Sequence, residues 1–128
     1  MKDKINLFMK KLKERSDFNR VKFVILFGSF SQNKENKMSD VDLAIYYDGD
    51  KEERFNFRLK MLSELPDGFD VLIFQDLPLF VRMNVLKGKI IFAQDEAFVY
   101  DVAYETIKSF DDFKKHYYDY IERRPVVI

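Results

Sequence analysis

A chain of 128 residues, 47% of them hydrophobic and 14 of them phenylalanine, has the length and apolar mass for one folded domain. Its 22 acidic and 22 basic residues cancel, which argues against a dedicated nucleic-acid-binding protein with its usual basic excess. Cysteine is absent and His116 is the single histidine. Disulfides, thiolate zinc sites, cysteine nucleophiles and multi-histidine metal sites are therefore excluded. Any metal site must be built mainly from oxygen ligands, which suits magnesium or manganese.

The opening stretch sets Ile5, Leu7, Phe8 and Leu12 among lysines and predicts an amphipathic helix. Lys10, Lys11, Lys13 and Arg15 read as its solvated face. It has no long apolar run, so neither a signal peptide nor a membrane span is expected, and a cytoplasmic location is the default. Val21 to Phe27 is a β-branched and aromatic run closed by Gly28-Ser29, which predicts a buried strand. Ser31 to Lys37 reads as a loop or short helix. Val41 to Tyr47 predicts a second strand, stopped by Asp48-Gly49-Asp50. Phe55, Leu59 and Leu62 recur at helical spacing and predict a helix from Glu52 to Leu65. The acids Asp48, Asp50, Glu52 and Glu53 suit a loop and a first helical turn.

Pro66-Asp67-Gly68 is a turn, and Phe69 to Phe74 predicts a third strand. Asp76 is a candidate cap for a helix with Pro78 in its first turn, running to Lys87 and ended by Gly88. Lys89 to Phe92 reads as a fourth strand. From Asp95 to Arg124 the pattern is helical, with Val99, Ala103, Ile107, Phe110 and Tyr117 as its apolar stripe. Ser109-Phe110-Asp111-Asp112 resembles a capping box and leaves two helices as an alternative. His116 reads as a surface residue. The expected fold class is α/β or α+β: one domain over 1–128, a small mixed β-sheet flanked by helices in its core at 20–92, and a C-terminal helical segment at 95–124.

The chemistry concentrates at three places. Gly28-Ser29 ends a strand, and after ten more residues comes Asp40-Val41-Asp42. Strand alternation puts both carboxylates on one face, with Cα atoms roughly 6–7 Å apart. Two ionised carboxylates at that range repel by about 2–3 kcal/mol at an effective dielectric of 20. No Lys or Arg lies between them, so a divalent metal is an economical counter-charge. Asp70 places an acid inside the apolar run of the next strand, where an unpaired charge is costly. Asp76 is the rival third acid. Gly28 permits close backbone approach to a ligand, and Ser29 offers a hydroxyl and an amide where phosphate is favoured. A phosphate binder, paired carboxylates and a third carboxylate are the parts of a two-metal phosphoryl-transfer site.

Leu26-Phe27-Gly28-Ser29 followed by Ser39-Asp40-Val41-Asp42-Leu43-Ala44 resembles the signature of the DNA polymerase β-like nucleotidyltransferase superfamily, in its minimal nucleotidyltransferase branch. The stretches from Phe69-Asp70-Val71 and from Arg82 to Phe92 fit that branch too. The resemblance implies a nucleotidyltransferase fold that transfers AMP from ATP, with two magnesium or manganese ions on Asp40, Asp42 and Asp70 and the triphosphate on Gly28 and Ser29. One departure stands out: many relatives carry an arginine just after Gly-Ser, where this chain has Phe30-Ser31-Gln32. Lys34, Lys37 and Arg82 are the candidate replacements.

The resemblance further implies an antitoxin whose partner is a HEPN-domain toxin, modified on a tyrosine within a hetero-oligomer. Phe98 to Arg124 is the expected contact segment, with Phe110, Phe113, Tyr117, Tyr118 and Tyr120 as its aromatic face. Two other readings stand beside it. One is a binding-only antitoxin that acts by occlusion. The other is transfer to a small molecule such as an aminoglycoside, for which so short a chain offers little room.

Overall fold

The computed structural model describes residues 2–28 and 40–123. Helix α1 spans Lys2–Lys13, strand β1 Val21–Phe27, strand β2 Val41–Tyr47 and helix α2 Lys51–Ser63. Strand β3 follows at Phe69–Ile73, helix α3 at Leu79–Val85, strand β4 at Lys89–Ala93 and helix α4 at Glu96–Arg123. The strands form one sheet in the order β3-β2-β1-β4. β1 pairs antiparallel with β2 and β4, while β2 and β3 run parallel. The expected small mixed sheet flanked by helices is therefore the fold. Among the described residues no helix is long and apolar enough to cross a membrane.

Side-chain alternation divides the sheet into two differently covered faces. Val41, Leu43, Ile45 and Tyr47 of β2 point to the face covered by α1 and α2, in a core with Phe8, Leu12, Phe57 and Met61. Ala44 and Tyr46 point to the opposite face, in a second core with Phe23, Phe74, Val85 and Val99. There Tyr46 meets Phe98 of α4 edge-on, with ring centroids 5.0 Å apart. Asp42 belongs to this second face by the same alternation.

Several helical details differ from expectation. The buried residues of α2 are Phe57 and Met61, while Phe55 and Leu59 are 57% and 47% exposed. Asp50 caps the helix through a capping box with Glu53, and the resulting phase turns Phe57 onto Tyr47, stacked at 4.2 Å. Arg15 leaves the solvated face expected for it. It pairs with Asp17 at 2.9 Å and Glu64 at 3.1 Å and lies over the Phe57 ring.

Asp76 does not cap α3. It ends a 3-10 turn at Phe74–Asp76 and pairs with Arg54 at 2.7 Å, while Pro78 takes the N-cap position. That turn also ends β3 one residue early, at Ile73. The last helix is continuous through Ser109-Phe110-Asp111-Asp112. Its inward face holds Phe98, Val99, Val102 and Thr106, whereas Ile107 and Tyr117 of the expected stripe are 45% and 53% exposed. Thr106 is tolerated inside because its hydroxyl donates to the Val102 carbonyl at 2.7 Å.

Candidate active site

The parallel β2–β3 ladder brings together residues far apart in sequence. Val41 pairs with Phe69 and Asp42 with Asp70. Register partners on adjacent strands leave the same face of a sheet, about 4.8 Å apart along the hydrogen-bonding direction. Asp70 is thus the immediate neighbour of Asp42, on the face that carries Ala44 and Tyr46. Asp40 stands just before β2 and is exposed, while Asp42 and Asp70 are half-buried. The Val41 amide donates to the Gly68 carbonyl at 2.8 Å, tying the approach to β2 to the turn that starts β3.

Burial pushes the Asp42 carboxyl above the ordinary carboxylate range, and the negative charges of Asp70 and Asp40 push it further the same way. Arg15, Arg20 and Arg54 are engaged elsewhere, by Asp17, Glu53 and Asp76. Among the described residues no group of three carboxylates is close enough to hold a metal ion as it stands. The donor set is entirely carboxylate oxygen, which fits a hard divalent cation.

Gly28 closes the site from β1, whose last residue, Phe27, is the register partner of Asp42. Its φ of 78° lies in the left-handed region, which glycine adopts without steric cost. A Cβ built there would overlap the Asp42 carboxylate. Glycine is thus required twice over, for its backbone angle and for the room Asp42 occupies. Ser29, Lys34 and Lys37 lie outside the described residues. Asp76, the rival third acid, is held by Arg54.

The Polymerase beta, Nucleotidyltransferase family model matches residues 9–97. The chain belongs to this family. The matched span contains Gly28, Asp40, Asp42 and Asp70. The nucleotidyltransferase is also 29% identical, over 92 residues, to a Methanocaldococcus jannaschii protein bearing the name of a candidate protein adenylyltransferase; the alignment covers 72% of this chain and 71% of that one. Among solved structures, a chain of a toxin–antitoxin complex with AMP-PNP superposes with a TM-score of 0.71 at 22% identity, covering 91% of this chain and 94% of that one. A chain of the MntA–HepT toxin–antitoxin gives 0.68 at 18% identity, over 95% and 97%. A chain from the complex of tri-AMPylated Shewanella oneidensis HEPN toxin with MNT antitoxin gives 0.66 at 20% identity, over 91% and 92%. At these identities the superpositions establish a shared fold.

Spacing in the sequence pointed to Gly28, Asp40, Asp42 and Asp70. It did not reveal the cleft beside them on the same sheet face, where Arg82 of α3 and Asp101 and Glu105 of α4 converge near Tyr46. One signal was available: Tyr46 is four strand residues from Asp42 and must share its face.

Proposed function

We propose that this nucleotidyltransferase moves AMP from ATP to a hydroxyl acceptor, that the acceptor is a tyrosine of a HEPN-domain toxin, and that the chain is that toxin's antitoxin. The observation that carries the catalytic part is the pairing of Asp42 with Asp70 beside Asp40. Acidic oxygens of this kind suit divalent cations, and Asp40, Asp42 and Asp70 would hold two magnesium or manganese ions. Such ions, when bound, neutralise phosphate charge and lower the pKa of an attacking hydroxyl. The chain's own contribution is placement. β2 and β3 fix two acids side by side, and Gly28 itself comes close against Asp42. Gly28 and Ser29 would receive the triphosphate. In the transfer, the acceptor oxygen bonds to the α-phosphorus, the bond from that phosphorus to the β-phosphate bridge breaks, and pyrophosphate leaves.

The choice of partner draws on the fold-level neighbours, which come from toxin–antitoxin complexes, one with an AMPylated HEPN toxin. It also draws on α4, whose Phe113, Tyr117 and Tyr118 are more than half exposed. Co-expression with a HEPN protein encoded beside it, followed by intact mass measurement, tests the reading. One or more AMP additions on a partner tyrosine, lost with Asp40→Asn, are expected. An unmodified partner, or modification that survives the substitution, would overturn it.

A further inference from the structure

Four strand ends line up across the sheet at the carboxylate site. Asp70 stands at the start of β3, Asp42 lies beside it on β2, and Phe27 at the end of β1 is the register partner of Asp42. The start of β4 comes next, where Lys89 pairs with Leu26, two residues before Gly28. The turn that enters β4 is pressed against this end of β1. A Cβ on Gly88 would overlap the Leu26 carbonyl oxygen, so Lys87-Gly88-Lys89 comes this close only because its middle residue is glycine.

The two lysines flank the turn on different faces of the sheet. Lys89 shares the face of its partner Leu26, the one covered by α1 and α2. Lys87 directly follows Val85 and Leu86, which pack with Phe27 on the opposite face, the one that carries Asp42 and Asp70. Lys87 is exposed, and its ammonium has no carboxylate partner among the described residues. Two strand spacings, about 10 Å, separate β2 from β4. A chain of three phosphates that starts at Asp42 and passes Gly28 therefore ends within reach of the flexible Lys87 stem.

Other cations are placed less well for this. Arg82, a candidate replacement for the arginine missing after Gly28-Ser29, lines the cleft at Tyr46 with its Nε sealed from solvent, and Tyr46 is about 13 Å along β2 from Asp42. Lys4 reaches Gly68, just before β3, on the flank away from β1.

We propose that Lys87 is a triphosphate-binding residue of this enzyme, holding the terminal phosphates of the nucleotide and then the pyrophosphate that leaves. The proposal rests on the nucleotidyl-transfer reading, and a probe that lacks the nucleoside lets the two be judged separately. Tripolyphosphate with magnesium, titrated calorimetrically into the full chain, reports phosphate binding without turnover. Lys87→Gln should weaken that binding about tenfold, the loss of one charge-assisted contact. Lys87→Arg should restore most of it, and Lys89→Gln, on the other face, should bind at the wild-type level. Manganese binding without phosphate should be unchanged in Lys87→Gln, which separates a lost phosphate contact from damage to the carboxylate site. Wild-type affinity in Lys87→Gln would overturn the proposal and pass the role to another cation, such as Lys34 or Lys37. Equal losses in Lys87→Gln and Lys89→Gln, or a wild-type protein that binds no tripolyphosphate, would overturn it as well. Binding that depends on Lys87 in a protein that transfers no AMP would uphold the phosphate site and remove the transfer reading.

Discussion

Asp42 and Asp70 are register partners across the parallel β2–β3 ladder, so two like charges share one face of the sheet with no strand between them. Their proximity raises the Asp42 pKa after burial has already done so, and a stability prediction follows with a definite sign. A carboxyl whose folded pKa is raised holds its proton more tightly in the folded state than in the unfolded chain. It disfavours folding increasingly as pH rises from the ordinary carboxylate pKa of about 4, fully so above the raised value, and the penalty vanishes below that ordinary pKa. Asp42→Asn should therefore raise the melting temperature of the metal-free protein at neutral pH, with the advantage shrinking as pH falls toward 4. Thermal melts of both proteins across that range check it, and an advantage that is flat with pH would contradict it.

The same charges predict a ligand effect. Magnesium or manganese bound only by the folded state should raise the wild-type melting temperature in proportion to its occupancy. Asp40→Asn combined with Asp42→Asn should abolish that rise and abolish AMP transfer while the fold stays intact. Melts with and without metal, with circular dichroism as the fold control, make the measurement. A double variant that still gains stability from metal would show that the ion sits elsewhere.

Gly28→Ala tests the closure of the site. The left-handed φ at this position costs a non-glycine residue about 1–2 kcal/mol, and the new methyl meets the Asp42 carboxylate. Both a loss of denaturation free energy of at least that size and a weakened divalent affinity are expected. Denaturant titration measures the first and manganese binding the second. Affinity at the wild-type level would mean that Asp42 moves aside freely.

How far the sequence could be read depended on whether a signal was local. The strands were legible because β-branched runs such as Val21 to Phe27 end at glycine or aspartate turns. The carboxylates were legible because Asp40 and Asp42 lie on one strand and its approach. The pairing of Asp42 with Asp70 is a matter of register between β2 and β3, which no local pattern encodes. Helix faces misled for a related reason. In α2 the stripe of Phe55 and Leu59 competes with Phe57 and Met61, and only the position of Tyr47 on the sheet decides between them. Asp76 made good sense as a helix cap until Arg54, 22 residues earlier, claimed it. The Arg82 cleft joins α3 to α4, and only the strand alternation of Tyr46 pointed toward it.

The α2 face gives a direct comparison of two similar side chains. Phe57 is 2% exposed and stacked on Tyr47, whereas Phe55 is 57% exposed. Phe57→Ala should cost about 3–5 kcal/mol through lost burial and the cavity left behind. Phe55→Ala should stay within about 0.5 kcal/mol, as exposed substitutions usually do. Equilibrium urea unfolding of the two variants reads the difference, and equal losses would mean that α2 packs with a different face inward.

The final prediction concerns α4 beyond its packed half. Phe98, Val99, Val102 and Thr106 fasten the helix to the sheet, yet it continues to Arg123. At about 1.5 Å per residue, the stretch after Thr106 adds about 25 Å. Phe113, Tyr117 and Tyr118 are exposed along it, with Phe113 stacked on Tyr117 at 6.2 Å. Aromatic side chains bury large areas at low entropic cost, which is why they anchor protein interfaces. Their removal should barely change the stability of the isolated chain, because they have little burial to lose. If this segment contacts the proposed HEPN partner, Phe113→Ala with Tyr117→Ala should weaken partner binding by at least tenfold, about 1.4 kcal/mol, and leave the melting temperature and divalent binding as in wild type. Titration calorimetry against the purified partner gives the affinity, and melts of the free variant give the control. A partner that binds the double variant as tightly as wild type would place the interface on another surface.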